Sequence, residues 1–226
     1  MARTMTTVLI LAAGEQKRWA EDSAEPKQLA DIGGESLILR IIRQVKERDE
    51  LPIVVTHDYA ITRATVESAI ISQPGKYCRW VVETVLSTLM LWGDSDEPVV
   101  VLFGDVIFSK VTMDLILGET ETLPKFYGNG CELFAVRFCP DDLLCLLVKH
   151  LGMARHGGYK EIGRFWNVYR ALIGVELDKH VIHDNPPYFA MIEDWTNDID
   201  NMGEYVTFQR EVIDAGKLDD LREDLR

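Results

Sequence analysis

The chain has 226 residues, 47% of them hydrophobic and 27% charged, which is ordinary for a globular domain with a substantial core. Its net charge of -13 argues against gripping a nucleic-acid polymer, which calls for broad basic surface, so any anion site has to be local. The longest apolar runs, such as Pro98 to Phe103, are too short to span a bilayer, and Met1-Ala2-Arg3-Thr4 leads into a strand without a signal-peptide core, so a cytoplasmic protein is expected.

In chain order, Val8-Leu9-Ile10-Leu11 reads as a strand buried on both faces. It runs into Ala12-Ala13-Gly14, small residues that let a ligand approach the backbone. Asp31 to Gly34 is a turn, and the helix after it shows an apolar face of Leu37, Ile38, Ile41, Ile42 and Val45. Pro52 to Thr56 is a second strand, Ala60 to Ile71 a second helix, Arg79 to Glu83 a third strand and Thr84 to Trp92 a third helix. Val99 to Phe103, the most apolar strand, ends at Gly104-Asp105-Val106. This alternation predicts an α/β fold with a mostly parallel central sheet flanked by helices, with ligands beyond the carboxyl ends of the strands.

The second half is less regular. Strands are expected at Cys131 to Phe138, Gly174 to Leu177 and Tyr188 to Ile192, and helices at Pro140 to Leu151, Lys160 to Leu172 and Tyr205 to Ala215. One domain spanning 1–226 is the economical organisation: a nucleotide-binding half over about 1–121, an acceptor-binding and metal-closing half over about 122–216, and a charged tail over 217–226. Cys78, Cys131, Cys139 and Cys145 lack CxxC spacing, and buried free thiols are expected rather than a zinc site or disulfide. His57, His150, His180 and His183 show no metal-ligand spacing.

A buried strand, a small-residue loop and the cations Arg18 and Lys27 describe a site for an anionic ligand, most simply nucleotide phosphates; close packing of an ordinary turn would look similar. Asp105, directly after a buried strand, is placed to hold a hard divalent cation against phosphate oxygens or to cap the following turn. If Asp198-Ile199-Asp200 is extended, both acids point to one side and Ile199 into the core. Such a pair calls for a cation or for solvent.

The pattern Leu11-Ala12-Ala13-Gly14-Glu15-Gln16-Lys17-Arg18, followed by Pro26-Lys27, resembles the signature loop of the nucleotidyltransferases that make nucleotide sugars and related activated metabolites. Asp198 to Tyr205 is similar to the D-x-D-T-x-x-D-like segment that closes their site, and it follows a Gly-Asp motif, Gly104-Asp105, in the same order. The resemblance implies a GT-A-like, Rossmann-type fold. It implies an enzyme that transfers NMP from an NTP to a sugar phosphate, phospho-alcohol or phosphonate, releasing pyrophosphate. Asp105 and Asp200 would hold Mg²⁺, or Mn²⁺ as the alternative, with Asp198 a neighbour or substitute ligand. Arg18 and Lys27 would hold the triphosphate and the developing charge, and residues 11–17 with Gly104 would line the phosphate cradle. Thr84 and Ser87 become candidate base and sugar contacts, although Thr84 could simply cap a helix; Lys160 becomes a candidate acceptor contact, although it could simply be an exposed helix start.

The W-x-x-D-I-D style of the last motif favours CTP slightly over other bases. The implied partners are a nucleoside triphosphate and a phosphorylated small molecule, with no nucleic acid and no membrane, in a monomer or homodimer. Two other readings share the architecture, a GT-A-type glycosyltransferase using a nucleotide sugar and a non-catalytic nucleotide-binding protein. The first usually carries D-x-D at the end of the mid-chain strand, where this chain has the single Asp105. The loop also departs from the family's usual AAG-x-G-x-R: Gln16 stands at the second glycine.

Overall fold

The computed structural model describes residues 6–14, 16–75, 78, 80–94, 96–156, 163–177, 187–213 and 216, with the side chain of Lys17 left aside. Strands β1 (Thr7–Leu11), β2 (Pro52–Val55), β3 (Ile70–Ser72) and β4 (Val99–Phe103) pair in parallel in the order β3-β2-β1-β4. Between them run the short α1 (Lys17–Ala20), α2 (Leu37–Lys46), α3 (Tyr59–Thr65) and α4 (Val81–Leu86). The two-residue β5 (Val106–Ile107) and then α5 (Lys110–Gly118) follow β4.

The sheet continues through the second half of the chain. β7 (Leu133–Phe138) lies antiparallel to both β4 and β6 (Lys125–Gly128), and β8 (Phe189–Met191) is parallel to β6. Among the described residues this makes seven strands ordered β3-β2-β1-β4-β7-β6-β8. α6 (Pro140–His156) and α7 (Phe165–Leu172) follow β7, and the two-residue β9 (Asn197–Asp198) precedes α8 (Met202–Phe208) and a π-helical turn, Gln209–Ile213.

Alternation along the strands divides the core into two layers. Val8 and Ile10 of β1 face α2, whose five expected apolar residues are all buried, together with Met113 and Ile116 of α5 and Phe208 of α8. Leu9 faces the opposite layer, built from Val82 and Val85 of α4, Leu143 and Leu147 of α6 and Phe165, Val168 and Tyr169 of α7. At roughly 1.5–3 kcal/mol for each large aliphatic or aromatic side chain buried, these two layers dominate the favourable side of folding. No described helix is long and apolar enough to cross a membrane.

The predicted architecture is present, with local corrections. The second helix stops at Thr65, and Ile70 and Ile71 form the true third strand, in register with Ile53 and Val54 of β2. Residues 81–83 are helical rather than extended. Val82 and Val85 fall three residues apart on one buried face, which helical packing satisfies as well as strand pairing does. Leu89–Leu91 is a separate 3-10 turn. Gly174 to Leu177 is not a strand, and the backbone turns at Gly174 with φ of 73°. β6 is a strand beyond those expected, and the antiparallel β7 makes the second half less parallel than the first. The four cysteines are free, but Cys139 alone is buried; Cys131 and Cys145 are exposed and Cys78 is half-buried. Residues 160–162, 214–215 and the tail 217–226 lie outside the described residues.

Candidate functional site

The carboxyl ends of β1 and β4 lie side by side, with Leu11 opposite Phe103. Gly104 donates its N–H to the Leu11 carbonyl at 2.9 Å. A Cβ at Gly104 would stand 2.6 Å from that oxygen, so this close approach requires glycine. Asp105 therefore emerges beside the end of β1. The backbone then enters β5, which pairs antiparallel with β9, Val106 opposite Asp198 and Ile107 opposite Asn197. The Asp105 carbonyl accepts the Ile199 N–H at 3.0 Å, and Ile199 is buried in the core. This ribbon carries Asp198 and Asp200 to Asp105.

Around the ribbon, short polar contacts fix the loops. The Asp194 carboxylate accepts from the Ser109 hydroxyl, from Thr112 Oγ1 at 2.8 Å and from the Thr196 N–H at 2.8 Å. Burial works to raise its pKa, but these hydrogen bonds outweigh it and hold the group below 3.8. Asn201 caps α8 by accepting the Glu204 N–H at 3.0 Å, and Glu204 in turn accepts the Asp200 N–H at 2.7 Å, a variant of the reciprocal capping box.

Lys27 is the hub. Its side chain is only 8% exposed, and Nζ lies 2.8 Å from Asp105 Oδ2 and 3.4 Å from Asp200 Oδ1. Burial alone would lower its pKa; the two carboxylates override that and raise it. Arg18 reaches the other Asp200 oxygen from solvent, 67% exposed. Its helix is anchored by Trp19, which is buried, donates Nε1–H to the Glu25 carbonyl at 2.8 Å and packs edge-on against Tyr205.

The acids exceed the cations here. Asp198 is pushed up to about 7 by burial and then by Glu132, Asp200, Asp105 and Glu204. Glu132 is raised too, by burial and by Asp200, with Arg18 opposing. Such an excess of hard oxygen donors fits a divalent cation. No three acidic, histidine or cysteine side chains among the described residues form a ligand set by themselves. Mg²⁺ does not require one, because it is commonly held by one or two carboxylates with waters and substrate phosphates.

A cavity of about 590 Å³ opens beside Lys27 and Asp105. Leu11, Ala13, Gly14, Gln16, Thr84 and Phe103 contribute to its wall. Ala12 is buried behind it, giving its N–H to Val55 and accepting from Thr56 Oγ1 through its carbonyl. Thr84 does not cap α4: it lies within the helix, and both its N–H and its hydroxyl donate to the Trp80 carbonyl. Ser87 is not among the wall residues; its hydroxyl donates to the Thr84 carbonyl. Gly104 is not among the wall residues either; its N–H bonds the Leu11 carbonyl and sets the close approach of β4 to β1. Glu15, Lys160 and the Lys17 side chain lie outside the described residues.

Sequence reasoning did not single out Gln28, Cys78, Trp80, Val81 and Phe103, which also line the cavity, or Glu132. Trp80 falls in the stretch expected to be a strand, and Glu132 carries no spacing signal because only the β6–β7 hairpin brings it near.

No protein-family model matches the chain, and no curated protein matches it. Solved structures do. A nucleotidyl transferase from Methanothermobacter superposes with a TM-score of 0.67 at 15% identity, covering 94% of this chain and 100% of that one. The inositol-1-phosphate CTP transferase from T. maritima gives 0.60 at 11% identity, covering 89% and 92%. The CTP:phosphocholine cytidylyltransferase from Streptococcus pneumoniae gives 0.58 at 15% identity, covering 91% and 98%. The chain has the nucleotidyltransferase fold.

Proposed function

We propose that this chain is a nucleotidylyltransferase, moving NMP from an NTP to a phosphorylated small molecule with release of pyrophosphate. The observation that carries the reading is the junction at Lys27, where one buried ammonium meets Asp105 and Asp200 beside the cavity and Arg18 adds a second cation. Two structural neighbours, the inositol-1-phosphate CTP transferase and the CTP:phosphocholine cytidylyltransferase, support a phosphorylated acceptor and the slight preference for CTP.

The chemistry follows from charge. Lys27 and Arg18 are placed to draw the triphosphate toward the loop at Ala13 and Gly14 and to oppose the charge that builds on it. Lys27, a compact cation, suits a phosphate whose geometry changes during reaction. The acceptor phosphate is already anionic at neutral pH, so its oxygen needs no strong general base. That oxygen attacks the α-phosphorus in line; the new O–P bond forms as the bond to the β-phosphate oxygen breaks, and pyrophosphate leaves with that electron pair. Asp105 and Asp200, with Asp198 beside them, would hold Mg²⁺ or Mn²⁺, which when bound supplies the positive charge that shields triphosphate from acceptor. Thr84, Trp80 and Phe103 are placed to meet base and sugar, and Lys160 remains a candidate for the acceptor phosphate.

The test is pyrophosphate release from each of the four NTPs and dTTP with Mg²⁺ and a panel of sugar phosphates, phospho-alcohols and phosphonates. Thermal shifts run in parallel identify the base, since a ligand at a hundredfold its Kd stabilises by about 2.7 kcal/mol. Pyrophosphate release dependent on one acceptor class is expected. A flat thermal panel together with no release overturns the proposal; binding without release supports a nucleotide-binding protein instead.

A further inference from the structure

Gln16, where the loop departs from the usual glycine, is fully engaged. Its Oε1 accepts the backbone N–H of Lys27 at 2.6 Å, and its Nε2 donates to Gln28 Oε1 at 2.8 Å. A backbone N–H can only donate, so the orientation of the Gln16 amide is fixed, and that fixes the oxygen of Gln28 as its acceptor. Both tethered residues are buried, Lys27 to 7% and Gln28 to 2% exposure.

Lys27 opens a 3-10 turn after Pro26. The first amides of such a turn lack a partner within it, and the Lys27 amide sits where water is largely excluded. Gln16 supplies that partner from the loop at the end of β1. The main chain of Lys27 is thereby tied to the wall of the cavity, while its ammonium alone extends to Asp105 and Asp200. Glycine at position 16 could make neither bond.

We propose that Gln16 is a positioning residue for Lys27. It fixes the Lys27 backbone, so that the ammonium can leave the two carboxylates for a nucleotide phosphate by side-chain rotation alone. The effect on turnover rests on the nucleotidylyltransferase reading; the anchoring itself does not.

The test compares Gln16→Gly with Gln16→Glu. A glutamate keeps an acceptor for the Lys27 N–H, and the Gln28 amide can turn to donate to it, so the anchor is rescued while negative charge is added near the triphosphate. Gln16→Gly should lower kcat on the order of 10- to 100-fold, the scale of a misplaced catalytic group, with KM for the NTP changed less than about threefold. Gln16→Glu should keep kcat within about threefold of wild type and raise KM instead. Wild-type kcat in Gln16→Gly, or an equal loss of kcat in Gln16→Glu, overturns the role in turnover.

Hydrogen exchange at the Lys27 amide, followed by NMR, reads the anchor without any turnover. Exchange should accelerate in Gln16→Gly and stay protected in Gln16→Glu. If the wild type releases no pyrophosphate while exchange follows this pattern, the nucleotidylyltransferase reading fails and the anchor stands. Unchanged exchange in Gln16→Gly removes the anchor whatever the turnover.

Discussion

Lys27 Nζ stands 2.8 Å from Asp105 Oδ2, so the cation of the opening loop and the acid at the end of β4 form one ion pair, which Asp200 joins at 3.4 Å. Removing the cation would leave two carboxylates facing each other. Lys27→Met should therefore reduce pyrophosphate release on the order of 10²- to 10³-fold. It should also cost about 1–2 kcal/mol of stability, well below the cost of breaking a fully buried pair, because both acids are partly solvated. Asp105→Asn, which leaves Lys27 paired with Asp200, should lose turnover with little change in urea midpoint. Near-normal pyrophosphate release by the Asn variant would remove Asp105 from the chemistry.

Gly104 separates backbone from side-chain effects. An alanine Cβ there meets the Leu11 carbonyl at 2.6 Å, so the ends of β1 and β4 must part. Gly104→Ala should destabilise by about 1–3 kcal/mol, the usual cost of forcing extra volume into a packed site. Because the same shift carries Asp105 away from Lys27, activity measured well below the unfolding temperature should fall with it. A variant that loses stability and keeps full turnover would show that Asp105 tolerates displacement.

The Asp194 clamp gives a pH dependence whose sign can be worked out. Its folded pKa lies below the ordinary value of 3.8, so the folded state favours the ionised form. The stability it contributes is present above that ordinary value and lost as pH falls through the folded value. Asp194→Asn should lower unfolding free energy by about 1 kcal/mol at neutral pH, toward the low end for charged hydrogen bonds because the residue is partly solvated. Urea titrations should find that gap constant from about pH 5 to pH 8 and closing once Asp194 itself becomes protonated. A gap that widens in acid would contradict the clamp.

Trp80 lines the cavity, although it lies outside the signature loops. Saturating CTP with Mg²⁺ should quench tryptophan emission in the wild type, and Trp80→Phe should lose most of that quench while keeping an aromatic face for stacking. If the full quench survives the substitution, the base does not approach Trp80.

The first half of the fold was legible because its signals are local. The apolar face of α2 and the continuous run of β4 announce themselves within ten residues, and the loop between Leu11 and Lys27 gathers small residues and cations into one stretch of sequence. The errors lie where local pattern fits two answers. Ile70 and Ile71 extend a helical rhythm as readily as they form a short strand, and only pairing with β2 decides between them. Val81 and Val82 are β-branched, which suggested extension, yet the opposite layer of the core selects the helix. At the site, Asp105, Arg18 and Lys27 stand out by residue type and position, and Asp200 by the resemblance of its motif to the family's closing segment. Glu132, Trp80 and the grip of Gln16 on Lys27 did not, because each depends on a contact between segments that sequence proximity does not suggest.

The ribbon of β5 and β9 also sets an order of events during synthesis. A chain leaving the ribosome presents Asp105 long before Asp198 and Asp200, and β8, the last strand of the main sheet, emerges ahead of the ribbon's second strand. Most of the hydrophobic core is available to collapse while the acidic cluster is still incomplete. The newborn domain can thus bury its sheet before it must hold several carboxylates together, and the acidic cluster is completed only after every strand of the main sheet has emerged.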